Sequence, residues 1–282
     1  MIRAVTDSAA LYRALGDDIT VYTEKIRSLA EAYGFGYDFC RFWVQDGGAV
    51  IGSYYGEATA ADCGHIGKAR SAELAAFLGC GQFSGVLMPN SLYENTGFHG
   101  AEKLLLMRAG DGIKKTDDIY KVRTGTAVSI GEIYEIAKSG FDIDFNKWYT
   151  DTSHMLRHGT VRLYALGSSA CAVRMFASGG ISYLSYICTV PEERGKGLAG
   201  SLLAHICTEE SACGNEVFLF CAGELEGFYH KCGFEPAGEA VCADARLRRR
   251  RWGCAPPSRA SARALDPNDR NTELDKSLKR KI

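Results

Sequence analysis

The sequence lacks the features that mark several large classes of protein. Its 11 cysteines are odd in number and form no Cys-x-x-Cys pair, so neither a zinc site nor a disulfide framework is indicated. No stretch approaches the run of roughly 20 apolar residues that a membrane helix requires. No Gly-Lys-Ser or Gly-Lys-Thr closes a phosphate-binding loop. We therefore expect a reduced, cytoplasmic protein with no metal site and no membrane partner, in which most cysteines are small buried apolar residues.

Composition and charge divide the chain into a body and a tail. The 282 residues are 46% hydrophobic and 24% charged, which excludes a fibrous or wholly disordered protein and allows one or two domains. Residues 244–282 hold 12 Lys/Arg and 5 Asp/Glu, whereas the remaining residues carry a net charge of -8. The tail also holds half of the 6 prolines and no apolar periodicity, so we expect it to be disordered. We expect no nucleic-acid partner, because only this tail would favour one, and the acidic body favours a cationic ligand.

The second half has the clearer secondary-structure pattern. Helix-like stretches at 130–138 and 147–157 precede two apolar runs, 161–166 and 170–177, that flank a Gly-Ser-Ser turn and predict a β-hairpin. A third strand is predicted at 181–190. Apolar residues at 198, 202, 203 and 206 then fall on one face of a helix. A strand at 216–221, a short helix at 224–232 and a strand at 234–241 complete an α/β order.

The first half repeats part of this plan. Tyr93 and Tyr229 are each followed by Gly-Phe, at 97/98 and 233/234, with a constant offset of 136. Residues 41–55 resemble the later hairpin, and 85–89 stand where a strand should precede the short helix. Two copies of one supersecondary plan are therefore predicted, with a chance match as the alternative. The first copy has no glycine-rich turn before its long helix, so we expect the chemistry in the second.

That glycine-rich turn is the most specific signal. Between a strand and a helix stand Arg194, Gly195, Lys196, Gly197 and then Leu198-Ala199-Gly200-Ser201. Backbone N–H groups at a helix start have no partner, and the helix dipole adds positive charge, so the turn is suited to phosphate or pyrophosphate. The alternative is a plain turn in which the glycines serve only the backbone geometry.

Two motifs together resemble a known family. Val-Pro-x-x-Arg-Gly-x-Gly-x-Ala begins at Val190, and Phe-Tyr-x-Lys-x-Gly-Phe spans residues 228–234. This pair is similar to the GNAT superfamily of acyl-coenzyme A-dependent N-acetyltransferases. The resemblance implies two mixed, mostly antiparallel sheets flanked by helices: a degenerate lobe at 1–115 and a catalytic lobe at 116–243, with the tail at 244–282.

The resemblance also implies site residues, with acetyl-CoA as the acyl donor. The strand end Cys188, Thr189 and Val190 corresponds to the edge that pairs with the pantetheine arm. The coenzyme A diphosphate would lie on the turn, with amides from Lys196 to Ser201 and side-chain charge from Arg194 and Lys196. Tyr229 matches the family's tyrosine that protonates the departing thiolate, which suits a phenol with a pKa near 10 beside a thiol near 8.5.

Several assignments keep an alternative. Tyr229 also fits a helix residue with a buried ring, and Tyr93 is expected to have only that role. The asparagine that the family often places seven residues before the tyrosine is here Ala222. Cys188 lacks an evident histidine partner and is expected to be inert. The sequence identifies no general base. Each candidate fits a surface or packing role better; the candidates are Tyr183, Tyr186, His205, Glu224, His230 and Lys231.

These observations predict an N-acetyltransferase that moves an acetyl group to a primary amine by direct attack in a ternary complex. The alternative is an acyl-CoA-binding sensor without turnover. The identity of the amine, the acyl-chain preference and the oligomeric state are left open.

Overall fold

The computed structural model describes residues 1–64, 67–80, 83–96, 101–113 and 121–243. The Gly97-Phe98 pair of the repeat, the 115/116 lobe boundary and the basic tail lie outside these residues. Within the described part, no helix is both long enough and apolar enough to cross a membrane.

The first half alternates strands and helices in the order βααβββαβαβ. Its elements are β1 (Ile2–Val5), α1 (Ser8–Leu15), α2 (Val21–Tyr33), β2 (Cys40–Gln45), β3 (Ala49–Tyr54), β4 (Glu57–Asp62), α3 (Lys68–Leu78), β5 (Gly85–Pro89), α4 (Asn90–Thr96) and β6 (Glu102–Ala109). The predicted hairpin at 41–55 and the predicted strand at 85–89 are present as β2, β3 and β5.

The second half has the same order. Its elements are β7 (Val122–Thr124), α5 (Ile130–Ala137), α6 (Phe145–Arg157), β8 (Arg162–Leu166), β9 (Ala170–Ser178), β10 (Ile181–Thr189), α7 (Leu198–Ala212), β11 (Glu216–Cys221), α8 (Glu226–Lys231) and β12 (Phe234–Ala243). Strand β7 was not predicted, because three residues carry no readable periodicity. All other predicted elements of this half are confirmed.

The twelve strands of the described residues form one sheet, in the order β1-β2-β3-β4-β5-β12-β6-β11-β10-β9-β8-β7. Among these described strands, only β4/β5 and β10/β11 are parallel pairs. The mixed, mostly antiparallel α/β class is therefore confirmed.

The two halves exchange their last strands at the centre of the sheet. Strand β6 follows α4 in the chain but pairs with β11, with Phe218 opposite Arg108. Strand β12 pairs with both β6 and β5, with Ala240 opposite Pro89. This pairing covers edges that two separate sheets would leave open, so the halves share one backbone ladder.

Helix α7 packs on this sheet through the face that its spacing predicts. Leu198, Leu202, Leu203 and Ile206 are all buried. Six of the ten described cysteines are likewise buried, and all ten are free thiols, as expected for small apolar residues.

A buried charge cluster fixes the far end of α7. Glu210 is 1% exposed, and its carboxylate accepts hydrogen bonds from Arg174 and Asn215, each at 2.9 Å, and from Ser182. Burial by itself would raise the pKa of Glu210, but these hydrogen bonds outweigh it and the pKa is lowered. The helix that follows the glycine turn is thereby held rigidly against β9 and β10.

Candidate functional site

Strand β10 separates from β11 before it ends. The parallel pairing runs only from Ile181 opposite Glu216 to Leu184 opposite Leu219. The pairing with β9 shifts register between Ser185 and Cys188, and Tyr186 there has φ 51°. Beyond Leu184, the edge of β10 that faces β11 has no register pair with it in the described strands. An extended ligand can pair with such an edge.

The glycine turn follows this strand end and opens α7. Gly195 has φ 81° and Gly197, the N-cap of the helix, has φ 80°. A Cβ at either position would meet no described atom within 4 Å, so glycine is required by the backbone conformation and not by crowding. The space beside the turn is therefore open.

The helix start supplies amides without intrahelical acceptors, on Gly197, Leu198, Ala199 and Gly200. Ser201 departs from the prediction, because its amide donates to the Gly197 carbonyl at 3.0 Å as the first bond of the helix. The Gly200 amide agrees with the prediction, but a Cβ at Gly200 would lie 3.6 Å from the Cys232 sulfur, outside the turn.

The two cations of the turn both have partners. The Arg194 Nε donates to the Thr189 carbonyl at 3.0 Å, which ties the turn to the end of β10. The Lys196 Nζ donates to Glu193 at 2.9 Å. Both side chains are exposed, so they lie at the rim of the turn.

Of the three strand-end residues, Cys188 turns its side chain to α5. Its thiol is 6% exposed and lies 3.5 Å from the Ile136 carbonyl and 3.4 Å from the Ser139 hydroxyl. Burial raises its pKa, against smaller lowering effects from Ser139 and Arg194, which supports an inert thiol. Thr189 pairs with Ala170, and the Val190 amide donates to Ser169 at 2.9 Å.

Tyr229 lies on α8 and is 7% exposed. Its ring centroid is 5.0 Å from that of Phe228 and 5.9 Å from that of Phe234. It belongs to the same buried cluster as Leu198, the first residue of α7. The ring therefore has the packing role that the alternative assignment requires, beside the helix that the turn begins.

The candidate bases divide into surface and core residues. Glu224, His230 and Lys231 are exposed, and His205 lies 4.0 Å from Glu209 on the surface of α7. Tyr183 is buried and stacks on Phe176. These positions agree with the surface or packing role that each residue type favours.

Sequence reasoning missed a cavity of about 440 Å³ between the halves. Helix α2 and strands β3 and β4 form one side, and α6, β9 and β10 form the other. Its wall includes Ser185 and Tyr186 of β10, at the register shift, together with Tyr54 and Asp151. Residues so far apart in the chain carry no local signal of being neighbours.

Comparison with known proteins identifies part of the second half. Residues 156–236 match the acetyltransferase (GNAT) domain. This segment runs from the end of α6 into β12 and contains both the glycine turn and Tyr229. The sequence has no match among curated proteins.

Solved structures share the fold over most of the chain. A GCN5-related N-acetyltransferase from Kribbella flavida is 14% identical with a TM-score of 0.55, over 80% of this chain and 94% of that one. A tandem GNAT protein from the clavulanic acid biosynthesis pathway is 12% identical with a TM-score of 0.53, over 88% and 100%. A Drosophila protein is 12% identical with a TM-score of 0.61, over 87% and 99%. At these identities the likeness is one of fold.

Proposed function

We propose that the protein is an N-acetyltransferase that moves an acetyl group from acetyl-CoA to a primary amine by direct attack in one ternary complex. The observation that carries the proposal is the joint geometry of the β10 edge and the glycine turn. Arg194 links the two by its bond to Thr189, and both lie within the segment that matches the acetyltransferase domain.

The described residues fit the donor. The amides of Gly197 to Gly200 have no acceptor within the helix and would bind the diphosphate, with the helix dipole adding to their charge. The edge of β10 beyond Leu184 would pair with the pantetheine arm. Acetyl-CoA supplies the thioester whose C–S bond breaks as the amine nitrogen forms the new C–N bond.

Tyr229 is proposed to give a proton to the departing thiolate. A phenol is a weaker acid than a thiol, so its proton stays available at neutral pH and stabilises the thiolate as sulfur charge develops. The amine must be neutral when it attacks, and it loses one proton as the amide forms. Because Cys188 is buried against α5, the proposal includes no covalent enzyme intermediate.

We propose that the first half is a degenerate copy that does not hold a second donor. The start of α3 corresponds in element order to the start of α7. There, a Cβ at Gly64 would collide with the Gly47 carbonyl, and the Arg70 guanidinium donates to the same carbonyl. The Gln45 amide donates to the Arg70 carbonyl at 2.9 Å. The hairpin turn thus packs against the segment that leads into α3, and no Arg-Gly-x-Gly sequence precedes that helix.

Tyr229→Phe tests the chemistry. We expect thiol release from acetyl-CoA with a pooled amine panel to fall by about 100- to 10,000-fold, the usual contribution of a general acid, while coenzyme A affinity measured by calorimetry stays unchanged. Tyr93→Phe, the same change on α4, is the matched control and should keep the full rate.

The outcomes separate the two candidate functions. If Tyr229→Phe keeps the wild-type rate, Tyr229 is not the proton donor and has only a packing role. If the wild-type protein binds acetyl-CoA but releases no thiol with any amine, the acyl-CoA-binding sensor replaces the transferase; the deep burial of the Tyr229 ring is the observation that favours that alternative.

A further inference from the structure

The cavity between the halves does not include the glycine turn proposed to bind the donor diphosphate, and it borders the donor site at strand β10. Its volume of about 440 Å³ is that of a small-molecule site. Because Ser185 and Tyr186 are part of its wall, it opens onto the register shift of β10, where the strand leaves β11. A molecule in the cavity would therefore approach the donor strand from the side of the first half.

Aromatic side chains form much of the wall. Tyr54 and Tyr55 come from the first half, and Trp148, Phe176 and Tyr186 from the second. Such rings bury an apolar ligand body, and their faces attract a cation. The structure already contains one such contact, because the Lys147 ammonium lies 4.3 Å from the centroid of the Tyr55 ring.

The charges that line the cavity have an acidic excess. Four carboxylates face two lysine ammonium groups: Glu57, Asp142, Asp144 and Asp151 against Lys25 and Lys147. Asp144 is engaged as the N-cap of α6. Asp151 lies farther along α6 and is partly buried in the cavity wall.

Two tyrosines of the first half lie close to Asp151. Burial raises the pKa of the Asp151 carboxyl, and the neighbouring Tyr54 hydroxyl, which lines the same cavity, lowers it. The hydroxyl oxygens of Tyr54 and Tyr33 lie 2.8 Å apart. Tyr33 is in turn stacked on His154 of α6, with ring centroids 4.5 Å apart. The surroundings of Asp151 are thus built partly by residues about a hundred positions away in the chain.

Resting on the proposed function, we infer that this cavity binds the acceptor as a primary ammonium with an apolar or aromatic body. Asp151 binds the ammonium group, and Tyr54 is a positioning residue that orients the carboxylate. The first half is then part of the acceptor site, although it holds no donor.

Direct binding to the full-length protein, without acetyl-CoA, tests the inference. The probes are phenethylamine and its uncharged isostere phenethyl alcohol, and the measurement is calorimetry. A charge-assisted hydrogen bond predicts that the wild-type protein binds the amine at least about tenfold more tightly than the alcohol. Asp151→Asn should remove this preference and leave alcohol binding unchanged. Asp111→Asn, which removes the same charge from an exposed loop, should keep it.

Tyr54→Phe separates positioning from folding. It should raise the KM for the amine several-fold and leave kcat and alcohol binding unchanged, a split that general destabilisation would not produce. Failure of the wild-type protein to bind the amine, or an Asp151→Asn protein that still prefers the amine, overturns the inference. If Asp151→Asn removes the preference for the amine but the wild-type protein releases no thiol, only the proposed function fails. If the KM for the amine in thiol release is the same in Asp151→Asn as in the wild-type protein, only the acceptor site fails.

Discussion

Substitution by alanine should lower the folding stability at Gly197 and raise it at Gly200. Gly197 has φ 80°, so Gly197→Ala forces an L-residue into the left-handed region, which costs about 1–2 kcal/mol. Gly200 lies in the first turn of α7, and a Cβ there would make an ordinary contact 3.6 Å from the Cys232 sulfur. Gly200→Ala should therefore stabilise the protein by about 0.5–1 kcal/mol, through a less flexible unfolded chain.

The two variants should also differ in donor binding. In Gly197→Ala, the backbone around residue 197 shifts to relieve its strain, and the amides proposed to bind the diphosphate change direction. Because one charge-assisted hydrogen bond to the diphosphate is then lost, coenzyme A affinity should fall by about tenfold or more. Gly200→Ala keeps its amide and points its methyl group towards α8, so coenzyme A affinity should not change.

Urea unfolding gives the two stabilities and calorimetry with coenzyme A gives the two affinities. Equal stability of Gly197→Ala and wild type would contradict the backbone argument. A loss of affinity in Gly200→Ala would mean that residue 200 must stay free of a side chain for close approach of the ligand.

Two other predictions concern buried groups. Glu210→Ala leaves Arg174 without its carboxylate and should cost about 3–5 kcal/mol in urea unfolding. Because the folded pKa of Glu210 is lowered, its charge stabilises the fold above the unfolded glutamate pKa of about 4.3. That contribution is lost as the pH falls through the lower folded value, so the gap in stability between the two proteins should narrow there; a constant gap would refute the assignment. Iodoacetamide should modify the exposed Cys80 and Cys213 well before Cys188, whose thiol is buried with a raised pKa, and mass spectrometry that finds Cys188 modified first would contradict its packing against α5.

The elements around the glycine turn could be predicted from one stretch of the sequence. The glycine turn, the apolar face of α7 and the strand before it are set by residues a few positions apart. Even there, the sequence could not assign each glycine a role: Gly197 serves a left-handed φ, whereas Gly200 faces Cys232. The amide of Ser201 was assigned to the ligand, although the helix uses it.

The sequence by itself determined the local elements and their twofold order, because apolar period, β-branched runs and glycine positions act between near neighbours. Tertiary structure alone decided that β6 and β12 exchange places at the centre of one sheet. It also decided that Tyr33 stacks on His154 and that Tyr54 and Asp151 line one cavity. Strand partners and cavity walls are chosen by burial and hydrogen bonding between segments that only folding brings together, and no local pattern records that choice.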